Sequence, residues 1–309
     1  MTVSTSLPWR ASLATPYVRA EMPGWGKVMR WFGIRGPSWE GAPTKIIRGK
    51  RHGLLMELDL SHWSERYTYF LGRYHETAVL ELLAAIVRPG DRVVDVGANI
   101  GMISLEFAAR VGSHGIVDAI EPNPHCCRRL RRQCELNDLR QVRVHSVALS
   151  NAPGSLTLSI PEGDFGKATL AFVNTDADDS STPQLTVDVA VGDELLSGDP
   201  RSPAVIKVDV EGYEPFVLQG LERTLAASQP ILVTEVNRQW LGRAGSSVEE
   251  VFTLLGRFDY RGYTIGVRHR RIGRPLRLEP ATTDIESANV VWVQPSSPLA
   301  TRLAPIPFS

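Results

Sequence analysis

A chain of 309 residues, 43% of them hydrophobic and 22% charged, is long enough for one large or two modest globular domains. Its 34 basic and 34 acidic residues balance, which disfavours a nucleic-acid partner, and no apolar run is long enough to span a membrane. Polar residues and prolines interrupt the N-terminus, so we expect no signal peptide. The three cysteines (Cys126, Cys127 and Cys134) form no closed disulfide framework, and we therefore expect a cytoplasmic protein.

The first 75 residues are predicted to form an irregular, aromatic-rich arm that caps the rest of the chain. Five of the seven tryptophans lie here, and prolines and glycines interrupt every periodic pattern. Residues 45–59 contain a short hairpin pattern, with Gly53 near its turn. We expect most of these aromatic side chains to anchor the arm, and one or two to line a substrate pocket.

Residues 77–87 follow with the broad apolar face of a helix that packs on a sheet. His75 lies at the start of this helix, near the expected ligand site, and the near-neutral pKa of an imidazole suits a general base. A solvated or capping histidine is the commoner interpretation of such a position, and both interpretations stay open.

Residues 91–121 carry the pattern around which the chain is organised. A β-branched run predicts a buried strand, Gly97 and Gly101 bracket a tight turn behind it, and apolar residues at helical spacing follow. Residues 116–120 predict the next strand, and Glu121 lies at its carboxyl end. Strand, glycine-rich turn and helix open a nucleotide-binding α/β unit, in which a strand-end acid can accept hydrogen bonds from both ribose hydroxyls.

The glycine-rich turn distinguishes two classes of nucleotide. A dinucleotide-binding fold requires G-x-G-x-x-G, whereas this turn reads Gly-Ala-Asn-Ile-Gly from Gly97 to Gly101, with Asp95 just before it. An acid beside the turn suits a cationic ligand better than a phosphate. S-adenosylmethionine is such a ligand, because it carries an ammonium and a sulfonium but no phosphate. A strand-turn-helix with no ligand is the structural alternative.

The next segments continue the alternation of helix and strand. Residues 124–137 predict a helix whose cysteines fall on a buried stripe. Residues 142–147 predict a third strand, and Ser146 and Ala148 lie at its carboxyl end, where the adenine of a bound nucleoside is expected.

Three segments depart from this alternation. Residues 155–160 and 184–189 alternate like strands and are predicted to pair in antiparallel fashion. The acidic, polar run 174–183 between them is typical of a mobile surface loop. The basic turn 268–274 is predicted to be solvated, with phosphate binding as the weaker alternative.

Charges interrupt the apolar strand predicted over residues 204–210. Lys207 and Asp209 lie two residues apart and therefore point to one face, and Glu211 continues the alternation. A compensating ion pair between Lys207 and Asp209 is the structural alternative. Because α/β proteins bind ligands at the carboxyl ends of parallel strands, we expect Asp209 to face the same crevice as Asp95 and Glu121.

The remaining chain predicts two helices and three strands: helices over 215–227 and 247–258, and strands over 230–236, 261–267 and 289–294. Glu235 is a further acid at a strand end.

These ordered features resemble the FkbM family of S-adenosylmethionine-dependent methyltransferases. The resemblance is carried by four stretches: residues 94–101 (VDVGANIG), 121–124 (EPNP), 205–214 (VIKVDVEGYE) and 231–236 (ILVTEV). The first motif is common to many methyltransferases, and the KVDVEG stretch makes the match specific. The resemblance covers roughly residues 67–267.

The resemblance implies a class I methyltransferase fold. This fold is an α/β, doubly wound, Rossmann-like structure with a seven-stranded, mostly parallel sheet and a reversed final hairpin. We divide the chain into an N-terminal arm (1–75), a methyltransferase domain (76–296) and a C-terminal tail (297–309).

The family further implies methylation of a hydroxyl oxygen on a small-molecule acceptor: a sugar, a glycolipid or a polyketide-type natural product. Asp209 is our first choice for orienting or deprotonating that hydroxyl, and Glu211, Glu235 and His75 are second choices. The residues expected to hold the cofactor are Asp95, Gly97, Asn99, Gly101, Glu121, Asn123, Ser146 and Ala148.

A divalent ion is a weaker hypothesis. Asp209, Glu235 and Asn237 end neighbouring predicted strands, and three oxygen ligands could hold Mg²⁺ as in catechol-type O-methyltransferases. Strand-end acids also occur without a metal. A homodimer built through the N-terminal arm is equally compatible with the sequence.

Three other functions stay open. A nicotinamide-dependent oxidoreductase would require the missing G-x-G-x-x-G pattern. A methyltransferase-like fold that binds without catalysis would have no need of a charge in a central strand. A protein or nucleic-acid methyltransferase is the third, and the neutral charge balance argues only against its nucleic-acid form.

Overall fold

In a computed structural model, which describes residues 9–34, 39, 41–159, 184–267 and 276–307, the chain divides into two units. The first unit comprises Met1–Thr77 and Arg132–Asp138, and the second comprises Ala78–Arg131 and Leu139–Ser309. The predicted loop 174–183 and the predicted basic turn 268–274 lie outside the described residues. Among the described residues, no helix has the length and apolar character needed to cross a bilayer.

The first unit is more regular than the sequence predicted. It contains three helices and a hairpin: α1 (Trp9–Arg19), α2 (Trp25–Trp31), β1 (Thr44–Arg48), β2 (Leu55–Asp59) and α3 (Trp63–Leu71). The strands β1 and β2 pair antiparallel, so the hairpin prediction is confirmed. Gly24 before α2 and Gly72 after α3 adopt left-handed backbone conformations with φ of 82° and 67°, which glycine adopts without steric cost.

The free edge of the hairpin is closed by two side-chain amides. Gln133 accepts a hydrogen bond from the backbone N–H of Glu57 (2.9 Å) and donates one to its carbonyl (2.8 Å). Asn137 does the same with Leu55, at 2.7 and 2.9 Å. Because the two amides lie four residues apart near one helix end, they meet alternate residues of β2 as a neighbouring strand would.

The described residues of the second unit form eleven strands: β3 (Arg92–Val96), β4 (Ile116–Ile120), β5 (Val142–His145), β6 (Ala148–Ser150), β7 (Gly154–Ser159), β8 (Gln184–Val191), β9 (Pro203–Val208), β10 (Ile231–Asn237), β11 (Arg261–Val267), β12 (Leu276–Pro280) and β13 (Ser287–Val293). Eight of them form one sheet in the order β12-β11-β13-β10-β9-β3-β4-β5.

That sheet confirms the predicted fold. In this sheet the neighbouring strands β5, β4, β3, β9 and β10 run parallel, and β13 inserts antiparallel between β10 and β11 as the reversed hairpin. Every residue of β3, β4 and β9 is buried, as expected for central strands covered on both faces. The strand β12, which the sequence did not predict, pairs with β11 and extends the expected seven strands to eight.

The predicted antiparallel excursion is also confirmed. The strands β6, β8 and β7 form a separate sheet, in which β7 and β8 pair antiparallel. The predicted third strand ends at His145, two residues early, and the chain then enters β6.

The helices that follow the first unit are α4 (Thr77–Ile86), α5 (Met102–Val111), α6 (Pro124–Leu136), α7 (Gly192–Leu196), α8 (Glu214–Gln219), α9 (Glu222–Ser228), α10 (Arg238–Arg243) and α11 (Val248–Gly256), with a 3₁₀ turn at Pro298–Arg302. The single helix predicted over 215–227 is two helices, with a break at Gly220 and Leu221. Gly220 packs against the carbonyl of Ser150, where a Cβ would come within 2.1 Å. Asp193 then accepts a hydrogen bond from the backbone N–H of Thr224 at 2.8 Å and caps α9.

Candidate active site

Charged side chains gather where the parallel strands β3, β4 and β9 end. Asp95 lies in register with Ala119 on β4 and Lys207 on β9, and its side chain is fully buried. Its Oδ2 accepts a hydrogen bond from the Ser104 hydroxyl at 2.6 Å. Burial raises the pKa of Asp95, and the positive charge of Lys207 opposes this rise.

Glu121 lies at the end of β4 and organises the glycine-rich turn. Its two carboxylate oxygens accept hydrogen bonds from the backbone N–H groups of Asn99 and Asn123, each at 2.8 Å. Burial nevertheless raises the pKa of Glu121 to about 7. The carboxylate therefore holds the turn and the segment after β4 together at the edge where ligands bind in this class of sheet.

Packing within the chain requires glycine at both glycine positions of the turn. A Cβ on Gly97, whose φ is 78°, would come within 1.9 Å of the Asp209 carbonyl oxygen. A Cβ on Gly101, whose φ is 92°, would meet the Leu130 side chain at 3.0 Å. Close packing of β3 against the end of β9 thus accounts for Gly97 without a ligand.

Two buried polar atoms at this edge have no hydrogen-bond partner among the described residues. They are Oδ1 of Asp95 and Nδ2 of Asn123. An unpaired buried polar group is costly, and a bound ligand or an ordered water satisfies such atoms. A carboxylate oxygen suits a cationic group and an amide N–H suits an acceptor, so both atoms fit a nucleoside that carries an ammonium.

Asp209 follows directly after β9. Its Oδ2 lies 2.8 Å from Nζ of Lys207, whose side chain is almost fully buried, whereas 23% of the Asp209 side chain is exposed. The predicted placement of the two charges on one face is confirmed by this ion pair. A structural ion pair and a role for Asp209 in a ligand crevice are compatible, because Lys207 fixes the Asp209 side chain while part of that side chain stays accessible.

Glu214, to which the sequence assigned no role, supports the segment after Asp209. Its Oε1 accepts hydrogen bonds from the N–H groups of Val210 (3.0 Å) and Gly212 (3.3 Å). Glu211, between them, holds a left-handed φ of 54°. Burial raises the pKa of Glu214 to about 7, and its Oε2 has no hydrogen-bond partner among the described residues. A sequence signal existed, since Glu214 is the third acid in six residues.

The structure places the other candidate residues less centrally. Ser146 is exposed in the link between β5 and β6, and Ala148 is buried as the first residue of β6. Glu235 lies on β10 in register with Asn289 of β13. His75 belongs to the first unit, where its ring makes edge contacts with Trp63 and Tyr74 at centroid distances of 5.3 and 4.4 Å.

Asn237, the third ligand of the hypothetical Mg²⁺ site, uses its side-chain oxygen to cap a helix. Its Oδ1 accepts hydrogen bonds from the N–H groups of Gln239 (3.1 Å) and Trp240 (3.2 Å) and caps α10. Within the described part of the chain, no cluster of three or more His, Cys, Asp or Glu side chains has the geometry of a metal site.

Comparison with known proteins adds a family match. The Methyltransferase FkbM domain matches residues 95–263. The chain is 31% identical over 166 residues to the hexuronic acid methyltransferase AglP of Haloferax volcanii, an alignment that covers 51% of this chain and 61% of that protein. It is 30% identical over 145 residues to Methyltransferase 1 of Beauveria bassiana, which covers 42% of this chain and 58% of that protein. The alignments thus span about three fifths of the length of these relatives.

Solved structures give more distant similarities. The crystal structure of a methyltransferase FkbM from Methylobacillus flagellatus KT superposes with a TM-score of 0.39 and 16% identity, covering 92% of this chain and 59% of that chain.

Proposed function

Because the chain belongs to the FkbM methyltransferase family, we propose that it is an S-adenosylmethionine-dependent O-methyltransferase. Its acceptor in this proposal is a hydroxyl group of a sugar, a glycolipid or a natural product. The similarity to a hexuronic acid methyltransferase favours a sugar, and a uronic acid is the first acceptor to try. Residues 76–296 form the methyltransferase domain in this proposal, between an N-terminal arm (1–75) and a C-terminal tail (297–309).

One observation carries the cofactor assignment: the unpartnered buried oxygen of Asp95 lies near the end of β3, and Glu121 lies at the end of the neighbouring parallel strand β4. In the proposal, Asp95 meets the cationic end of the cofactor, and Glu121 accepts hydrogen bonds from its ribose hydroxyls. The amide of Asn123 donates a further hydrogen bond. Gly97 and Gly101 shape the turn, and Asn99, Ser146 and Ala148 border the site.

S-adenosylmethionine supplies, when bound, a sulfonium methyl group that is transferred in line to a nucleophilic oxygen. The chain must place the acceptor hydroxyl on that line and accept its proton. Asp209 is the first candidate, because its carboxylate is partly exposed, held by Lys207 and backed by Glu214 through the turn that follows. Glu211, Glu235 and His75 remain the second choices.

Mg²⁺ is not part of the proposal, since Asn237 uses its oxygen to cap α10. We therefore expect full methyl transfer in the presence of EDTA. Loss of transfer in EDTA, with recovery on adding Mg²⁺, would restore the metal hypothesis with other ligands.

The proposal is tested by methyl transfer from S-adenosylmethionine labelled at its methyl group. The acceptor panel contains uronic acid glycosides, matched neutral glycosides and glycolipids. We expect label on a uronic acid glycoside and at least a 100-fold lower rate for Asp209→Asn, the scale of a lost general base. The exposed Asp259→Asn is the control, and its rate should match that of the native chain.

Two results would contradict the proposal. Binding of S-adenosylhomocysteine without turnover on any acceptor would favour a methyltransferase fold that binds without catalysis. Binding of NAD in its place would favour hydride chemistry.

A further inference from the structure

The first unit carries the large hydrophobic side chains that the described residues expose. They are Leu13, Tyr17, Met22, Trp31, Ile46 and Trp63. Scattered exposed apolar residues are normal, but a contiguous exposed group marks an interaction surface. In the second unit, the described large hydrophobic side chains are buried or half-buried.

Part of this set is contiguous, on the outward face of α1. Exposed apolar residues recur there with spacings of three and four and continue into the turn that follows. We call this the apolar stripe: Leu13, Pro16, Tyr17, Ala20, Met22 and Pro23. The opposite face of α1 packs inward through Ala14 and Val18. A helix with apolar residues on both faces is normally buried, so the exposed face of α1 is a candidate binding surface.

Hydrogen bonds hold the stripe together. The Tyr17 hydroxyl donates to the Pro23 carbonyl at 2.6 Å, and the N–H of Met22 donates to the Tyr17 carbonyl at 3.3 Å. The turn is therefore folded back onto the end of α1, so that Met22 and Pro23 lie beside Tyr17. The stripe is a fixed surface and not a loose end of chain.

The segment that contains the stripe carries a net positive charge. Residues 9–34 contain four basic residues and one acid. That acid, Glu21, is neutralised by Lys50 at 2.5 Å and Arg73 at 2.7 Å, whereas Lys27 and Arg30 are exposed on α2. Trp31, which follows Arg30, is 87% exposed. Exposed cations, an exposed aromatic ring and an apolar helix face in one short segment are the combination that binds the interface of an anionic membrane.

We propose that the apolar stripe, together with Lys27, Arg30 and Trp31, binds the surface of an anionic lipid membrane. A second copy of the chain fits less well. A two-fold dimer that used the stripe and these cations as one patch would bring that patch against itself, so the cations would meet like charges. A lipid surface of negative charge instead complements them. This inference goes beyond the proposed reaction, and its test requires neither methyl donor nor acceptor.

The test is co-sedimentation of the full chain with lipid vesicles. We expect binding to vesicles of phosphatidylcholine mixed with phosphatidylglycerol. Binding to pure phosphatidylcholine should be weaker by about tenfold or more, since two exposed cations lose their partners. Raising the salt concentration should weaken the first binding and leave the second unchanged.

Two pairs of variants locate the surface. Leu13→Ser with Met22→Ser should weaken partitioning by about tenfold or more, while Ile46→Ser, at a similarly exposed site on the hairpin, should have no effect. Lys27→Gln with Arg30→Gln should weaken binding to anionic vesicles by about tenfold or more. Its charge-matched control is Arg128→Gln with Arg131→Gln, both exposed on α6. Because the substituted side chains are exposed, each variant should keep the native melting temperature, which circular dichroism checks.

Absence of binding to anionic vesicles overturns the proposal, as does equal binding by Leu13→Ser with Met22→Ser. Sedimentation velocity tests whether a second copy of the chain covers the stripe instead. A native dimer that this double variant converts to a monomer, with no vesicle binding by either, would assign the stripe to a second copy of the chain.

Discussion

Two buried carboxyl groups, those of Glu121 and Glu214, have pKa values raised to about 7 by burial. The pKa of each is therefore higher in the folded chain than in the unfolded one. Between pH 4.5 and 7, the folded state binds protons that the unfolded state does not bind, so the free energy of unfolding falls as pH rises. Burial of these two groups thus makes the folded state less stable at neutral pH than in mild acid.

Glu214→Gln isolates one of these contributions. The amide oxygen of glutamine can still accept from Val210 and Gly212, but the side chain no longer titrates. The difference in unfolding free energy between variant and native chain should be constant below pH 4.5. It should shift in favour of the variant by about 3 kcal/mol as pH rises through 7. Urea unfolding at a series of pH values measures it, and a difference that is flat across this range would contradict the assignment.

Glu121→Gln tests the cofactor site. The variant loses a charged acceptor for ribose hydroxyls, so S-adenosylhomocysteine should bind about 10- to 100-fold more weakly by titration calorimetry. Glu106→Gln is the control, because Glu106 is also buried in the second unit but pairs with Arg110 on α5. Equal affinity for the Glu121 variant and the native chain would place the ribose elsewhere.

The sequence predicted the functional residues that are unusual for their position and missed those that are common at theirs. Asp95 and Asp209 were visible because charges in or beside buried parallel strands are anomalous. Glu214 was assigned no role although it is the third acid in six residues, because an acid in the first turn of a helix is ordinary, and only the structure shows that it is buried. The sequence analysis also missed the helix cap formed by Asn237, because asparagine is an ordinary residue at the start of a helix.

Among the elements, the junction of β3 with β9 depends on Gly97. Gly97→Ala would place a Cβ within 1.9 Å of a backbone oxygen, which no side-chain movement relieves. We expect a loss of more than about 4 kcal/mol in the free energy of unfolding. Gly90→Ala is the matched control, since φ is 84° there but nothing lies within 4 Å of the added carbon. It should cost only about 1–2 kcal/mol. Equal losses in urea unfolding would show that the close approach does not matter.

The sequence predicted elements best where one pattern was undisturbed. The strands β3, β4 and β9 follow from β-branched, apolar runs, and the pairing of β7 with β8 follows from alternation. The helix α1 was missed because Pro16 lies inside it and because its apolar residues occupy both faces, which removes the periodic signal.

The whole molecule should respond to its ligands by mass action. A compound that binds only the folded state at 100 times its Kd stabilises it by about 2.7 kcal/mol. For a domain of this size, S-adenosylhomocysteine should therefore raise the melting temperature by about 4–6 °C. NAD should leave it unchanged, and S-adenosylhomocysteine at the same concentration should raise the melting temperature of Glu121→Gln by about half as much or less. A rise with NAD alone would contradict the methyltransferase proposal.

The side-chain amides of Gln133 and Asn137 occupy the outer edge of β2 and affect where aggregation begins on heating. An open strand edge is a template on which other chains can add strands and aggregate. Here a helix end blocks that template with side chains in place of a third strand. Fraying of this one helical turn would uncover the edge while the central sheet is still intact, so heat-induced aggregation should begin at the hairpin.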